Sequence, residues 1–336
     1  MLKRIGKSTI VFNNLPIIKG FSSVVGKKEG DGPLGGCFDF VSPDDTFGQT
    51  TFEKAESAMI KDAVNIALNK AGYLPKDINY IFAGDLLNQC IGSNYGLREL
   101  GIQFFGLYGA CSTMSEAISL SAMAVNGEFA KNCIAVTSSH FCSAERQFRF
   151  PLEYGGQRTG TAQWTVTGSG AVVVSNSGKG VKIAHCTVGK INDLGIKDVN
   201  NMGAAMAPAA AQTLSEFFID TNTKPQNYDL IVTGDLAQTG SLLLKKLLSY
   251  EGYDLKENYN DCGILIYNQK EQDVHSGGSG CGCSAVVLTG HIIPRMLAGQ
   301  LENVLFIGTG ALMSPTSILQ GESIPSIAHL VHFTTN

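Results

Sequence analysis

Apolar positions along the chain recur at two spacings, and segments of one kind alternate with segments of the other. Between positions 52 and 70, Ala55, Met59, Ala63, Ile66 and Ala67 fall on one face at helical spacing, and Gly72 follows as a stop. Short β-branched and aromatic runs predict strands at 9–12, 78–83, 133–138, 182–188, 230–233 and 304–307, the last being the final core strand expected. Further helices are expected over 206–218, with Pro208 in the first turn, and over 241–248 and 286–301. Residues 166–175 read as two strand pieces across a glycine turn, and 30–36 as irregular chain around Pro33. Positions 140–165 form a long polar-aromatic stretch, a length that in compact domains points to function. Alternating strands and helices predict an α/β fold with mostly parallel strands.

The pattern repeats. Tyr80-Ile81-Phe82-Ala83-Gly84-Asp85-Leu86 recurs as Leu230-Ile231-Val232-Thr233-Gly234-Asp235-Leu236, and Gly109-Ala110-Cys111-Ser112 recurs as Cys281-Gly282-Cys283-Ser284. The spacing from each turn to the next strand, Cys111 to Cys133 and Cys283 to Val304, agrees within one residue. Two pseudo-symmetric halves are therefore expected, 1–176 and 177–336, with their two turn-helices packed together at the centre. Ligand sites in such an arrangement lie beyond the strand C-termini, where both turns meet.

The first of these turns carries the chemistry. Cys111 stands on a sharp strand-to-helix turn, and the small-residue pattern Ala117, Ile118, Leu120, Ala122 predicts the helix behind it. A helix N-terminus lowers a thiol's pKa and favours an anion. Thr113 and Glu116 have capping-box spacing. Cys111 is thus either a nucleophilic or ligand-touching thiol or a buried small hydrophobe.

Composition narrows the classes. The 336 residues are 44% hydrophobic with a formal net charge of −4, so a large core is available and no basic footprint for nucleic acid is visible. Nine scattered cysteines, an odd number, suit free thiols in a reducing compartment. No apolar run approaches the ~20 residues of a membrane span, and Met1-Leu2-Lys3-Arg4-Ile5-Gly6 is not followed by a signal-peptide core. A soluble protein is expected.

The duplicated units, the Gly-x-Cys turn, Ala71-Gly72-x-x-Pro75-x-Asp77-Ile78-x-x-Ile81 and the closing Gly308-Thr309-Gly310 resemble the thiolase superfamily, which includes the β-ketoacyl synthases. That resemblance implies a five-layered αβαβα fold and a homodimer. Six stretches resemble one branch more closely: 83–89, 109–113, 137–140, 144–149, 165–171 and 277–281. They are similar to the stage V sporulation protein AD family, thiolase-like proteins that bind dipicolinic acid and are associated with its movement into the developing bacterial spore. The resemblance implies work with membrane proteins of the same spore uptake system, at the inner spore membrane, and no cofactor. Calcium commonly accompanies dipicolinate, yet no Asp/Glu spacing here resembles a dedicated calcium loop, and no metal ligands are expected.

Superfamily catalysis takes two further polar groups from the second half, usually His with His or Asn. Asp235 occupies the first place; a carboxylate there raises a thiol's pKa and repels an oxyanion. His275 is a counterpart for the second place or a surface histidine beside Asp273. The expectation is a retained pocket with condensing activity lost; the alternative is an acyltransferase of the β-ketoacyl synthase type using Cys111. For a rigid aromatic dianion the candidate contacts are Cys111, Ser139, His140, Arg146, Arg149, Gln157, Arg158, Asp235 and Ser279, with Trp164 as a wall. Each arginine taken alone reads first as a surface or dimer-interface pair, Ser279 could serve tight helix packing, and Asp85 and Asp235 could bond their own turns.

Overall fold

A computed structural model describes residues 3–148 and 158–336. The spine of its sheet is ten strands in the order Tyr259–Asp261, Leu230–Thr233, Asn303–Ala311, Ser326–Thr334, Val181–Thr187, Ile17–Val25, Gly168–Ser175, Asn132–Ser139, Tyr80–Gly84, Gln103–Gly106. Reading outward from the central join, both runs of five strands obey one rule. The first pairs antiparallel with the second and the second antiparallel with the third, while the third, fourth and fifth run parallel. The join itself is a short antiparallel pairing of Val181 with Ile18 and Lys182 with Ile17.

Period-two alternation on these strands builds the layers. Cys133 and Ala135 face a central core that also holds Val304 and Phe306, while Ile134 and Val136 face one outer core and Leu305 and Ile307 the other. The central core contains Met114, Ala117 and Ile118 of the helix Thr113–Asn126 together with Cys283, Val286 and Val287 of the helix Cys281–Val287. The outer cores are closed by two helices of equal length, Phe52–Ala71 and Met202–Thr221. Helix, sheet, paired helices, sheet and helix make the five layers of a thiolase-like fold.

Helix Phe52–Ala71 begins where the Thr51 hydroxyl accepts from Lys54 N–H and ends at Gly72, whose φ of 70° lets Gly72 and Tyr73 bond back to Asn69 and Leu68. Several expectations are corrected. Pro208 lies inside Met202–Thr221, because Asn201 caps that helix earlier than the apolar pattern suggested. Residues 166–175 are not two pieces: Gly168–Ser175 is one strand, and Trp164–Thr165 pairs instead with Gly278–Ser279. The second turn-helix starts at Cys281 and passes through a π turn, Leu288–Ile292, before Ile293–Leu297. The last core strand is Ser326–Thr334, not 304–307. The long stretch after His140 opens with a helix, Phe141–Phe148.

Candidate functional site

The Cys111 turn is a single 3-10 turn, Ala110–Ser112, feeding directly into Thr113–Asn126. Ala110 carries a φ of 50°, the strained left-handed conformation that lets the chain reverse this sharply. Side chains lock it: the Ser112 hydroxyl donates to Gly109 O (2.7 Å), and the Thr113 hydroxyl donates to Ala110 O (2.6 Å) while accepting from Gly109 N–H (3.1 Å). The expected Thr113–Glu116 box is therefore absent, since Thr113 bonds backward and one Glu116 carboxyl oxygen is buried without a partner. The second half presses on the turn from below. A Cβ at Gly310 would lie 2.3 Å from Gly109 O, so only glycine admits this approach.

Cys111 is 7% exposed and packs with Leu86, Ala144 and Cys281. Its sulfur lies 3.9 Å from the Ser279 hydroxyl. That hydroxyl donates to Asp235 Oδ2 (2.9 Å), which also accepts from Gly280 N–H (3.0 Å), and the Thr309 hydroxyl donates to Asp235 Oδ1 (2.7 Å). Burial pushes the Asp235 carboxyl above its ordinary value, although hydrogen bonds from Gly280, Thr309, Cys111 and Ser279 pull the other way. The two halves thus meet in one relay, Cys111 to Ser279 to Asp235 to Thr309. Its carboxyl accepts from Ser279, Gly280 and Thr309.

The other candidates disperse. Ser139 is fully buried; its hydroxyl donates to Val166 O (2.7 Å) and accepts from Gly282 N–H (3.1 Å), tying the second glycine turn to the strand Asn132–Ser139. His140 is 1% exposed with both ring nitrogens engaged: Nδ1 accepts from Cys142 N–H (3.2 Å), which leaves Nε2 to donate to Asp45 O (2.7 Å). Burial lowers its pKa, so it stays a neutral imidazole. Arg146 is half exposed and pairs with Glu53 at 3.1 Å. Arg158 bonds Asp273 O (3.2 Å) and lies over the Trp164 ring, 4.3 Å from its centroid. Trp164 stacks on Phe141 at 3.8 Å. Arg149 and Gln157 lie outside the described residues.

His275 pairs with Asp273 at 3.6 Å on the surface side of its loop, and Ser279 stands beside the thiol instead. Two contributors were missed. Thr309 sat in view within Gly308-Thr309-Gly310, but nothing in the motif ties it to Asp235. Gln163 Nε2 donates to Asp235 O (2.6 Å), a contact across 72 positions that no local pattern carries. Asp85, the counterpart of Asp235 in the repeat, bonds its own turn: it accepts from Leu87 N–H, Ser93 N–H and the Ser93 hydroxyl. Among the described residues no group of three His, Cys, Asp or Glu is placed to hold a metal ion.

Known proteins share this architecture. The solved structure of a single-residue variant of OleA from Xanthomonas campestris, with cerulenin, superposes with a TM-score of 0.60 over 96% of this chain and 97% of that one at 11% identity. The 3-oxoacyl-[acyl-carrier-protein] synthase III of Aquifex aeolicus gives 0.56 over 95% and 99% at 14% identity. Such identities speak for the fold alone. By sequence, the chain is 48% identical over 332 residues to the stage V sporulation protein AD of Bacillus subtilis (strain 168), covering 99% of this chain and 98% of that protein. The family model for stage V sporulation protein AD matches residues 6–334. The chain is a member of the stage V sporulation protein AD family.

Proposed function

We propose that this sporulation protein is a non-catalytic descendant of a condensing enzyme, whose Cys111 crevice binds dipicolinic acid and supports its uptake into the developing spore. The observation that carries the reading is Asp235, a buried carboxyl bonded to Ser279, Gly280 and Thr309 where condensing chemistry needs an imidazole or amide donor. In this reading the thiol touches the ligand and is not a nucleophile. The candidate cations for a dianion are Arg149, outside the described residues, and Arg146 and Arg158, which would have to leave Glu53 and Asp273. His140, neutral and engaged at both nitrogens, shapes the crevice by holding the loop at Asp45.

Partners are part of the proposal. Among the described residues no helix is long and apolar enough to cross a membrane; in this reading the protein works at the inner spore membrane with membrane proteins of the same uptake system. A homodimer is supported by the edge strand Gln103–Gly106, which is exposed along its whole length and carries Phe104 and Phe105. Calorimetric titration with dipicolinate tests the reading: saturable binding, weakened by Cys111→Ala, is expected, and no heat from a well-folded preparation overturns it. The acyltransferase reading draws on Cys111 itself, kept on the turn of a β-ketoacyl synthase fold. It requires a mass increase on the intact protein after incubation with an acyl thioester; none is expected.

A further inference from the structure

Duplication gives the outer layers an internal comparison. In each half a helix comes after the Gly-Asp-Leu turn and packs on the long outer helix, Ile91–Leu97 against Phe52–Ala71 and Ala237–Tyr250 against Met202–Thr221. The first exposes Asn94 and Tyr95, followed by Arg98 and Glu99. The second exposes leucines: Leu242 is 67% exposed, Leu243 37% and the closing Tyr250 74%. Its inner side is complete without them. Ala237, Gly240, Ser241, Leu244 and Leu248 are buried, and a Cβ at Gly240 would lie 2.9 Å from Gly203 Cα on the neighbouring helix. The repeated plan therefore makes no demand for leucine on the outer side.

The outward residues form one stripe. Leu242, Lys246 and Tyr250 stand four apart, with Leu243 and Leu247 beside them. Ile219, exposed near the end of Met202–Thr221, continues the apolar surface across a shallow groove that it lines with Leu247. Lys245 stands at the flank, its ammonium 5.2 Å from the centroid of the Tyr259 ring. The helix carries these two lysines and no acid. Carboxylates beyond its end and on its neighbour already have partners. Glu251 accepts from the Ser215 hydroxyl, Glu216 pairs with Lys190 at 2.6 Å, and Asp254 pairs with Lys256 at 3.8 Å. Glu257 lies to the far side of Lys245, beside Lys256 and Tyr259. Exposed apolar bulk and local positive charge thus share one helix face, in a chain whose net charge is −4.

We propose that this face of Ala237–Tyr250 rests on an anionic lipid surface, with Leu242, Leu243 and Tyr250 entering the headgroup boundary and Lys245 and Lys246 meeting lipid phosphates. A helix lying in the plane of a membrane is held by this combination of a shallow apolar stripe and basic side chains. Lysine stems lie along apolar surface while their heads reach outward, so Lys246 fits within the stripe. The tyrosine ring and hydroxyl suit a boundary that is apolar on one side and wet on the other. Charge selects the occupant: two lysines with no acid on the helix complement anionic headgroups, which bring negative charge without needing a cleft to receive them. The inference stands apart from what Cys111 binds.

Co-sedimentation of the full-length protein with vesicles tests this, using phosphatidylcholine alone and phosphatidylcholine mixed with phosphatidylglycerol. Wild type should sediment with the mixed vesicles, far less with the neutral ones, and less in both variants below. Added salt should weaken the binding. Changing Lys245→Gln and Lys246→Gln together should lower affinity about thirtyfold, at about fivefold for each lysine. Changing Leu242→Ser and Leu243→Ser together should lower it about tenfold or more. All four positions are exposed, so thermal melts of both variants should match wild type, and Leu74→Ser, exposed in the first half, should bind as wild type does. Should the leucine variant fail to fold, the lysine variant carries the test. Wild type that ignores phosphatidylglycerol, or variants that bind as wild type does, overturn the proposal. So does a leucine variant that runs as a smaller species than wild type in sedimentation velocity, because that result assigns the face to a second copy of the chain.

Discussion

Replacing Asp235 with asparagine tests the relay through stability. The amide keeps one acceptor oxygen, which Gly280 N–H claims because a backbone donor cannot turn away. The amide NH₂ then faces Thr309, whose hydroxyl rotates to accept, and the Ser279 hydroxyl loses that acceptor. About one hydrogen bond is lost, roughly 1–2 kcal/mol for a buried pair. The pH dependence is the sharper part. Burial raises the folded pKa of Asp235, so the folded state binds more protons than the unfolded one. Its stability contribution is therefore fullest below the unfolded carboxyl pKa of about 3.9 and is lost as pH rises through the folded value. The replacing amide does not titrate. Urea denaturation at a series of pH values should find Asp235→Asn most costly in acid, its deficit against wild type shrinking as pH rises, with unchanged m-values. A deficit that grows with pH would refute the reasoning, because it would make Asp235 an ion that the fold favours.

Groups buried elsewhere give three more tests. Burial lifts Glu29 to about 7 despite its bonds from Tyr267 and Thr167; wild-type stability falls as pH rises from the ordinary carboxyl value of about 4.3 to about 7, and Glu29→Gln removes that slope in urea melts. His332, paired with His185 at 2.9 Å, is pushed down to about 3 by burial. Stability is then lost as pH falls from the unfolded histidine value of about 6.5 toward about 3, and His332→Phe should soften the acid transition followed by circular dichroism. Gly310→Ala drives a methyl to within 2.3 Å of Gly109 O; a loss of about 3 kcal/mol or more is expected in denaturation, with Cys111 more reactive toward iodoacetamide as its turn shifts.

Periodicity and duplication made the architecture legible. Strand-length apolar runs at 78–83 and 230–233, and the turns Gly109-Ala110-Cys111-Ser112 and Cys281-Gly282-Cys283-Ser284 behind them, carry information locally, and their recurrence points to one plan repeated in each half. The misplaced elements share a cause. Ser326–Thr334 interleaves histidines and threonine with its apolar residues, and its identity as a core strand comes from antiparallel pairing with Asn303–Ala311 and Val181–Thr187. Pro208 reads as a helix start, but the tertiary packing of Met202, Ala205 and Met206 extends the helix before it. At the site, Asp235 and Ser279 were reachable because both stand at repeat-marked turns. Thr309 and Gln163 were not, because their roles arise from contacts made only after the halves close. Within the stretch 140–165, the salt bridge of Arg146 to Glu53 and the stacking of Trp164 on Phe141 depend on three-dimensional neighbours.

The central claim is that Cys111 floors a ligand crevice and has ceased to be a nucleophile. A crystal structure of the protein soaked with dipicolinate tests it most directly. The account predicts dipicolinate density in van der Waals contact with an unmodified Cys111, its carboxylates meeting arginine side chains. An empty crevice with dipicolinate elsewhere or absent, or an acyl group covalently attached to Cys111, would contradict it.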